Sequence, residues 1–138
     1  MKAPFQHIRI ELENDLSGRL CFEEHEVVFD SGKLLTATAS NDAMWLLRRL
    51  MCGGWITEEF AAELEEKQLP IDIRCFPTIT PQIWSAALAD RARQNLFDLS
   101  FSMVQPDALP GDISPLSPLR GYQSAALIDE IESYSQRF

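Results

Sequence analysis

Phe29-Asp30-Ser31-Gly32-Lys33-Leu34-Leu35-Thr36-Ala37, followed by Leu46-Leu47 and then Gly53-Gly54-Trp55-Ile56-Thr57-Glu58-Glu59-Phe60, sets out a hairpin, a helix, a glycine stop and a second helix in direct succession. Asp30-Ser31-Gly32-Lys33 reads as a tight turn, with Gly32 at the position that favours positive φ because a residue without Cβ meets no steric penalty there. Upstream, Ile8, Ile10 and Leu12 alternate with Arg9, Glu11 and Glu13, the period-two pattern of a strand with one wet face. Asn14-Asp15 and Ser17-Gly18 supply turn chemistry, residues 19–23 alternate again, and residues 27–30 and 33–39 read as two more strands. The first forty residues are therefore expected to form a small antiparallel sheet.

The period changes after Asn41-Asp42, either of which can cap a helix by accepting a backbone N–H bond. Ala43, Leu46, Leu47, Leu50 and Met51 form an apolar stripe at helical spacing that ends at Gly53-Gly54. Thr57 caps the next helix, whose first turn carries Glu58 and Glu59 at the positive end of the macrodipole and whose buried side is Phe60, Ala61 and Leu64. Ile79-Thr80-Pro81-Gln82-Ile83 repeats this signal more strongly. Thr80 is the cap, Pro81 occupies the first helical position where its missing N–H costs nothing, and Ile79 can staple onto Trp84. That helix is expected to run to Leu99 with Trp84, Leu88, Ala92, Leu96 and Leu99 inward, and Phe101 and Met103 to form a last short strand. The prolines at 106, 110, 115 and 118 mark residues 105–118 as an extended loop, and Leu127, Ile128, Ile131 and Tyr134 mark a final packed helix. The expected architecture is thus α+β, a short N-terminal antiparallel sheet packed with about four helices. It forms a single domain whose body spans 1–104, with a Pro-rich loop at 105–118 and a C-terminal helix within 119–138.

With 138 residues and 46% hydrophobic content, the chain can build one core of ordinary size. Its formal charge of -9 opposes phosphate backbones and anionic lipid heads, so neither nucleic acid nor a membrane surface is an expected partner. No stretch has the apolar length of a signal peptide core or of a membrane span, and a cytoplasmic location is expected. Cys21, Cys52 and Cys75 are odd in number and widely spaced, which suits reduced, mostly buried thiols.

No metal, cofactor or catalytic residue is expected. A phosphate loop around Gly32-Lys33 would need glycine and Ser or Thr where Val27 and Leu34 stand. Cys21 and His25 are four apart, but in a strand and turn they point to different places, and no second ligand pair accompanies them. Neither His7 nor His25 is flanked by a nucleophile turn, and Glu58, Glu59, Glu63, Glu65 and Glu66 read as a solvated face. The residues off the buried stripes are more informative. Trp45 falls opposite Leu46, Leu47 and Leu50 together with Arg48 and Arg49, and Phe97 shares a helix face with Asp90 and Arg93. Exposed aromatic and arginine side chains together are what interface anchors are made of. Trp45, Arg48, Arg49, Arg93 and Phe97 are accordingly the candidate protein-binding residues; the competing reading is that the sheet or the C-terminal helix covers Trp45.

Residues 29–37, Leu46-Leu47 with Gly54, Ile56-Thr57-Glu58-Glu59, and Arg91 with Asn95-Leu96-Phe97 resemble the PATAN-type bacterial signalling domain (PatA N-terminal-like) in its stand-alone form. The closing Leu127-Ile128-Asp129-Glu130 is similar to that family's final helix. The resemblance implies a non-catalytic adaptor in a polarity, motility or two-component system. Its partner would be a response regulator, a small GTPase system or a pilus or motility component. The helical half also looks like the N-terminal domain of pilus and secretion ATPases, some of which bind cyclic di-GMP through R-L-G-x-x-L-x-x-x-G. In that alignment Trp45 stands at the arginine and Leu47 at the first glycine, which removes the guanidinium and the close backbone approach and leaves a cyclic di-nucleotide-binding regulatory domain as the alternative to the adaptor.

Overall fold

The computed structural model of the protein describes residues 3–14, 17–67, 73–101, 106–109 and 118–137. Helix α1 (Ala3–Glu13) leads into strands β1 (Gly18–Phe22), β2 (His25–Asp30) and β3 (Lys33–Ala39), helices α2 (Asp42–Cys52), α3 (Glu58–Lys67) and α4 (Pro81–Leu99), strand β4 (Asp107–Leu109) and helix α5 (Ser124–Ser135). A single 3-10 turn, Ile73–Cys75, precedes α4. The class is α+β, with an antiparallel sheet in the order β3-β2-β1-β4.

The β2–β3 hairpin closes as its sequence dictates. Asp30 pairs with Lys33, and both central residues have positive φ, Ser31 at 50° and Gly32 at 76°. That pair of dihedrals gives a turn whose twist matches the strands it joins. The outer strand β3 is closed to further pairing by bonds from outside the sheet. Leu34 N–H donates to Ser124 Oγ, Leu119 N–H to the Leu35 carbonyl, Asn95 Nδ2 to the Ala37 carbonyl, and Ala39 N–H to Asp42 Oδ2. Such closure is how a sheet avoids recruiting a foreign strand.

Helix α4 is the spine. Its 19 residues span about 28 Å and serve two cores. The C-terminal half lays Ala92, Leu96 and Leu99 on Leu20, Phe22, Val27, Phe29 and Ala37 of the sheet, with Phe5 and Ile8 of α1 and Leu127 and Ile128 of α5 completing the cluster. The N-terminal half contributes Trp84 and Ala87 to a helical core with Leu46, Leu47, Leu50, Leu64, Phe76 and Ile79. The caps are the expected ones: Thr57 Oγ1 accepts from Phe60 N–H at 3.1 Å and Thr80 Oγ1 from Ile83 N–H at 3.2 Å. Helix α2 ends on Gly54 at φ +78°, with Trp55 N–H bonded back to the Leu50 carbonyl and Gly54 N–H to that of Met51. This paired closure satisfies carbonyls that the helix leaves open.

Several expectations are corrected. Residues 8–12 belong to a helix, because Phe5 and Ile8 are both 0% exposed while Ile10 is 51% exposed. A strand would have buried Ile8 and Ile10 together, and three alternating pairs are too few to separate the two periods. Among the described residues α1 brings the α-helices to five. Phe101 lies in the turn after α4 and not in a strand; Met103 lies outside the described residues. The last strand is instead Asp107–Leu109, inside the stretch read as a loop, where it pairs with β1. Ala43 is exposed, Met51 and Leu88 are half-buried, and Tyr134 is 51% exposed despite its place in the apolar pattern of α5. The cysteines are not joined in disulfides, and none is fully buried: Cys52 is exposed and Cys21 and Cys75 are half-buried. Asn41 stands at the N-cap of α2 without capping it through its side chain, which is engaged elsewhere.

Candidate functional site

The side chains of Asn41 and Asp42 turn toward α4. Arg91, 5% exposed, donates from Nε to Asp42 Oδ1 and from Nη2 to Asn41 Oδ1, both at 2.7 Å. Asn95 Nδ2 adds a bond to the same Asp42 oxygen at 3.0 Å. A buried guanidinium demands such partners, because its charge cannot be shed and water cannot reach it. The result is a polar clasp that fixes the start of α2 against α4 and β3. The Arg91 guanidinium also lies over the Trp45 ring, 5.3 Å from its centroid.

That contact corrects the placing of Trp45. It is half-buried and packs against the helical core, and what covers it is α4, not the sheet or the C-terminal helix. One turn on, Arg48 and Arg49 are exposed, Arg49 Nη2 reaches Asp90 Oδ2 of α4 at 2.8 Å, and Arg48 makes no ion pair among the described residues. Asp90 begins a face of α4 that continues through Arg93, Gln94 and Phe97 to Phe101, at spacings of three, one, three and four. The Arg49–Asp90 pair thereby ties the helix that carries Trp45, Arg48 and Arg49 to the α4 face that carries Arg93 and Phe97.

Helix α5 lies beside this face. Arg93 Nη2 bonds Glu130 Oε1 at 3.0 Å, and the Arg93 guanidinium sits 5.8 Å from the Tyr122 ring centroid. The Phe97 ring packs edge-on against Phe101 at 5.2 Å and tilted against Tyr134 at 5.4 Å. Between the helices runs an open groove of about 810 Å³, floored by these rings and flanked by Asp90, Arg93, Glu130 and Arg137. Sequence reasoning named Arg93 and Phe97 but assigned Phe101 to a strand and Tyr134 to the core; the available signal was the four-residue step from Phe97 to Phe101.

Two smaller hollows lie elsewhere among the described residues. One of about 340 Å³ lies where Trp55 folds over Gly53 beside Arg49 and Ile83; a Cβ on Gly53 would come within 2.9 Å of the Trp55 ring. The other, about 260 Å³, adjoins Thr36, Thr38, Asp42 and Arg91, but its two charged groups are spent on each other. Among the described residues no three His, Cys, Asp or Glu side chains are grouped to hold a metal ion. Among those residues, too, no helix is long and apolar enough to cross a membrane.

Compared with protein-family models, curated proteins and solved structures, the chain matches none.

Proposed function

We propose that the protein is a non-catalytic signalling adaptor that binds a protein partner through the joined face of α2 and α4. The observation that supports the reading is the Arg49–Asp90 ion pair, which ties the exposed Arg48 and Arg49 of α2 to the α4 face that carries the half-buried Arg93 and Phe97. Arginine and aromatic side chains are the residues on which interfaces concentrate their binding energy, and here they cluster on a chain with 21 acidic and 12 basic residues. Arg48, exposed and without an ion pair among the described residues, is open to a partner carboxylate. Trp45 plays a supporting part, since Arg91 holds its ring against the core. The partner class is that of the PATAN resemblance: a response regulator, a small GTPase system or a pilus or motility component, met in the cytoplasm.

The test is affinity capture from the native host with mass spectrometry, wild type beside Arg48→Glu. The reading expects at least one protein that the wild type retains and the variant loses. Identical capture profiles from two equally folded baits would refute it.

A further inference from the structure

We infer, resting on the adaptor reading, that the hollow between the end of α2 and the start of α4 is the anchor point of the partner surface. Its occupant is an apolar side chain of a peptide segment that carries a carboxylate about one helical turn away.

Gly53 makes the hollow. It closes α2 at φ −79°, a negative value that other residues adopt, so backbone freedom does not demand glycine there. Space does. A Cβ on Gly53 would stand 2.9 Å from Trp55 Cδ1 and 3.1 Å from its Nε1. In the absence of that atom the indole folds back over the helix end and walls a hollow of about 340 Å³, with Leu50, Ile83, Ala86 and Ala87 as its apolar lining. Ligand sites run from about 300 to 1,000 Å³, so this one has the size for an anchoring side chain and not for a large cofactor. Trp55 stays 45% exposed, which leaves much of its ring for an incoming group.

Charge selects the occupant. On a chain with 21 acidic and 12 basic residues, no acidic group among the described residues lines this hollow, whereas Arg49 does. Asp90 already offsets Arg49 at 2.8 Å, so the uncompensated charge is that of Arg48. Arg48 is exposed, makes no ion pair among the described residues, and lies one turn before Cys52, which also lines the hollow. A basic segment would be repelled there, and a wholly apolar one would strip water from the guanidinium and return no partner. A carboxylate satisfies it.

The same row of α2 extends one more turn back to Met44, which is 46% exposed. Hollow, cation and methionine thus follow one another over about 12 Å of helix, the rise from Met44 to Cys52. That length matches about two turns of a bound helix or about four residues of extended chain, and it favours a peptide over a small organic acid. The pattern recognised is apolar, acidic, apolar.

The test is selection of random peptides about 12 residues long, enough to span the row, displayed against the immobilised full chain, followed by anisotropy titration of the enriched peptides. The expected peptides carry Asp or Glu within about four residues of Leu, Ile, Phe or Met. Their dissociation constants should rise at least about tenfold with Arg48→Glu or Ala86→Phe and about 30-fold with Trp55→Ala. Ala86 is exposed on α4, so a phenylalanine there fills the hollow without removing a packed group. Circular dichroism checks folding; should Trp55→Ala unfold, Ala86→Phe decides. No enrichment, enriched peptides that are basic or lack an acid, or binding indifferent to Ala86→Phe overturns the inference. Selection needs no native partner, so its failure leaves an Arg48-dependent capture standing. Peptides of the expected pattern beside a capture profile indifferent to Arg48→Glu would instead retire the adaptor reading and leave the hollow.

Discussion

Asp42→Ala strikes the clasp that sets the relation of α2 to α4. The Asp42 carboxylate receives Arg91 Nε at 2.7 Å, Asn95 Nδ2 at 3.0 Å and Ala39 N–H at 3.0 Å. It also sits in the first turn of α2, where a negative charge complements the helix dipole. Its removal leaves the Arg91 guanidinium, 7% exposed, with the neutral Asn41 oxygen as its remaining side-chain partner. Breaking a buried pair from one side costs about 3 to 5 kcal/mol. The Asp42 side chain is 24% exposed, so water can take up part of the lost solvation and the lower end applies, about 3 kcal/mol. At a urea slope of about 2 kcal/mol/M the unfolding midpoint should fall by about 1.5 M. Arg91→Met in the same background should recover part of the loss, because the stranded charge is gone. The two single effects should therefore exceed the double by at least about 1 kcal/mol. A midpoint within about 0.3 M of wild type, or a double variant that is simply additive, would refute the clasp as the element that fixes α2.

Other outcomes follow from the packing. Leu47→Ala, at a site 3% exposed in the helical core, should cost about 2 to 5 kcal/mol by urea titration. Thr80→Ala removes the cap of α4 and should cost about 1 kcal/mol in the same assay, with Thr80→Ser close to wild type. Gly54→Ala should destabilise by about 1 kcal/mol through its φ of +78° alone, since no atom lies in the way. Calorimetric titration with cyclic di-GMP should show no micromolar binding, because Leu47 is buried and Trp45 is held under Arg91; saturable heat at one site would sink that expectation.

The parts of the fold legible in sequence were those fixed by local chemistry. Gly32 announced its turn, Thr57 and Thr80 their caps, and Gly54 the end of α2, because each acts on backbone groups within a few residues. Helix α1 was misread because three alternating pairs also contain the Phe5–Ile8–Leu12 helical spacing, and only the distant core formed by α5 and the sheet decides between them. Strand β4 was invisible for the same reason: Asp107–Leu109 is ordered by β1, almost ninety residues earlier. The candidate site shows the same division. Arg93 and Phe97 were readable as one helix face, and so were Trp45, Arg48 and Arg49. That Asp90 joins the two faces, that Arg91 covers Trp45, and that Tyr134 comes to rest beside Phe97 depend on how α2 and α5 dock on α4, which no local pattern encodes.

The most direct measurement of the central claim is calorimetric titration of the partner recovered by affinity capture into wild type and into the Arg48→Ala, Arg49→Ala double variant. Both side chains are exposed, so folding should hold, while truncation of interface anchors should cost at least about 2 kcal/mol, or about 30-fold in affinity. Equal affinity for the two proteins, with matching melting curves, would contradict the adaptor account and place the working surface elsewhere.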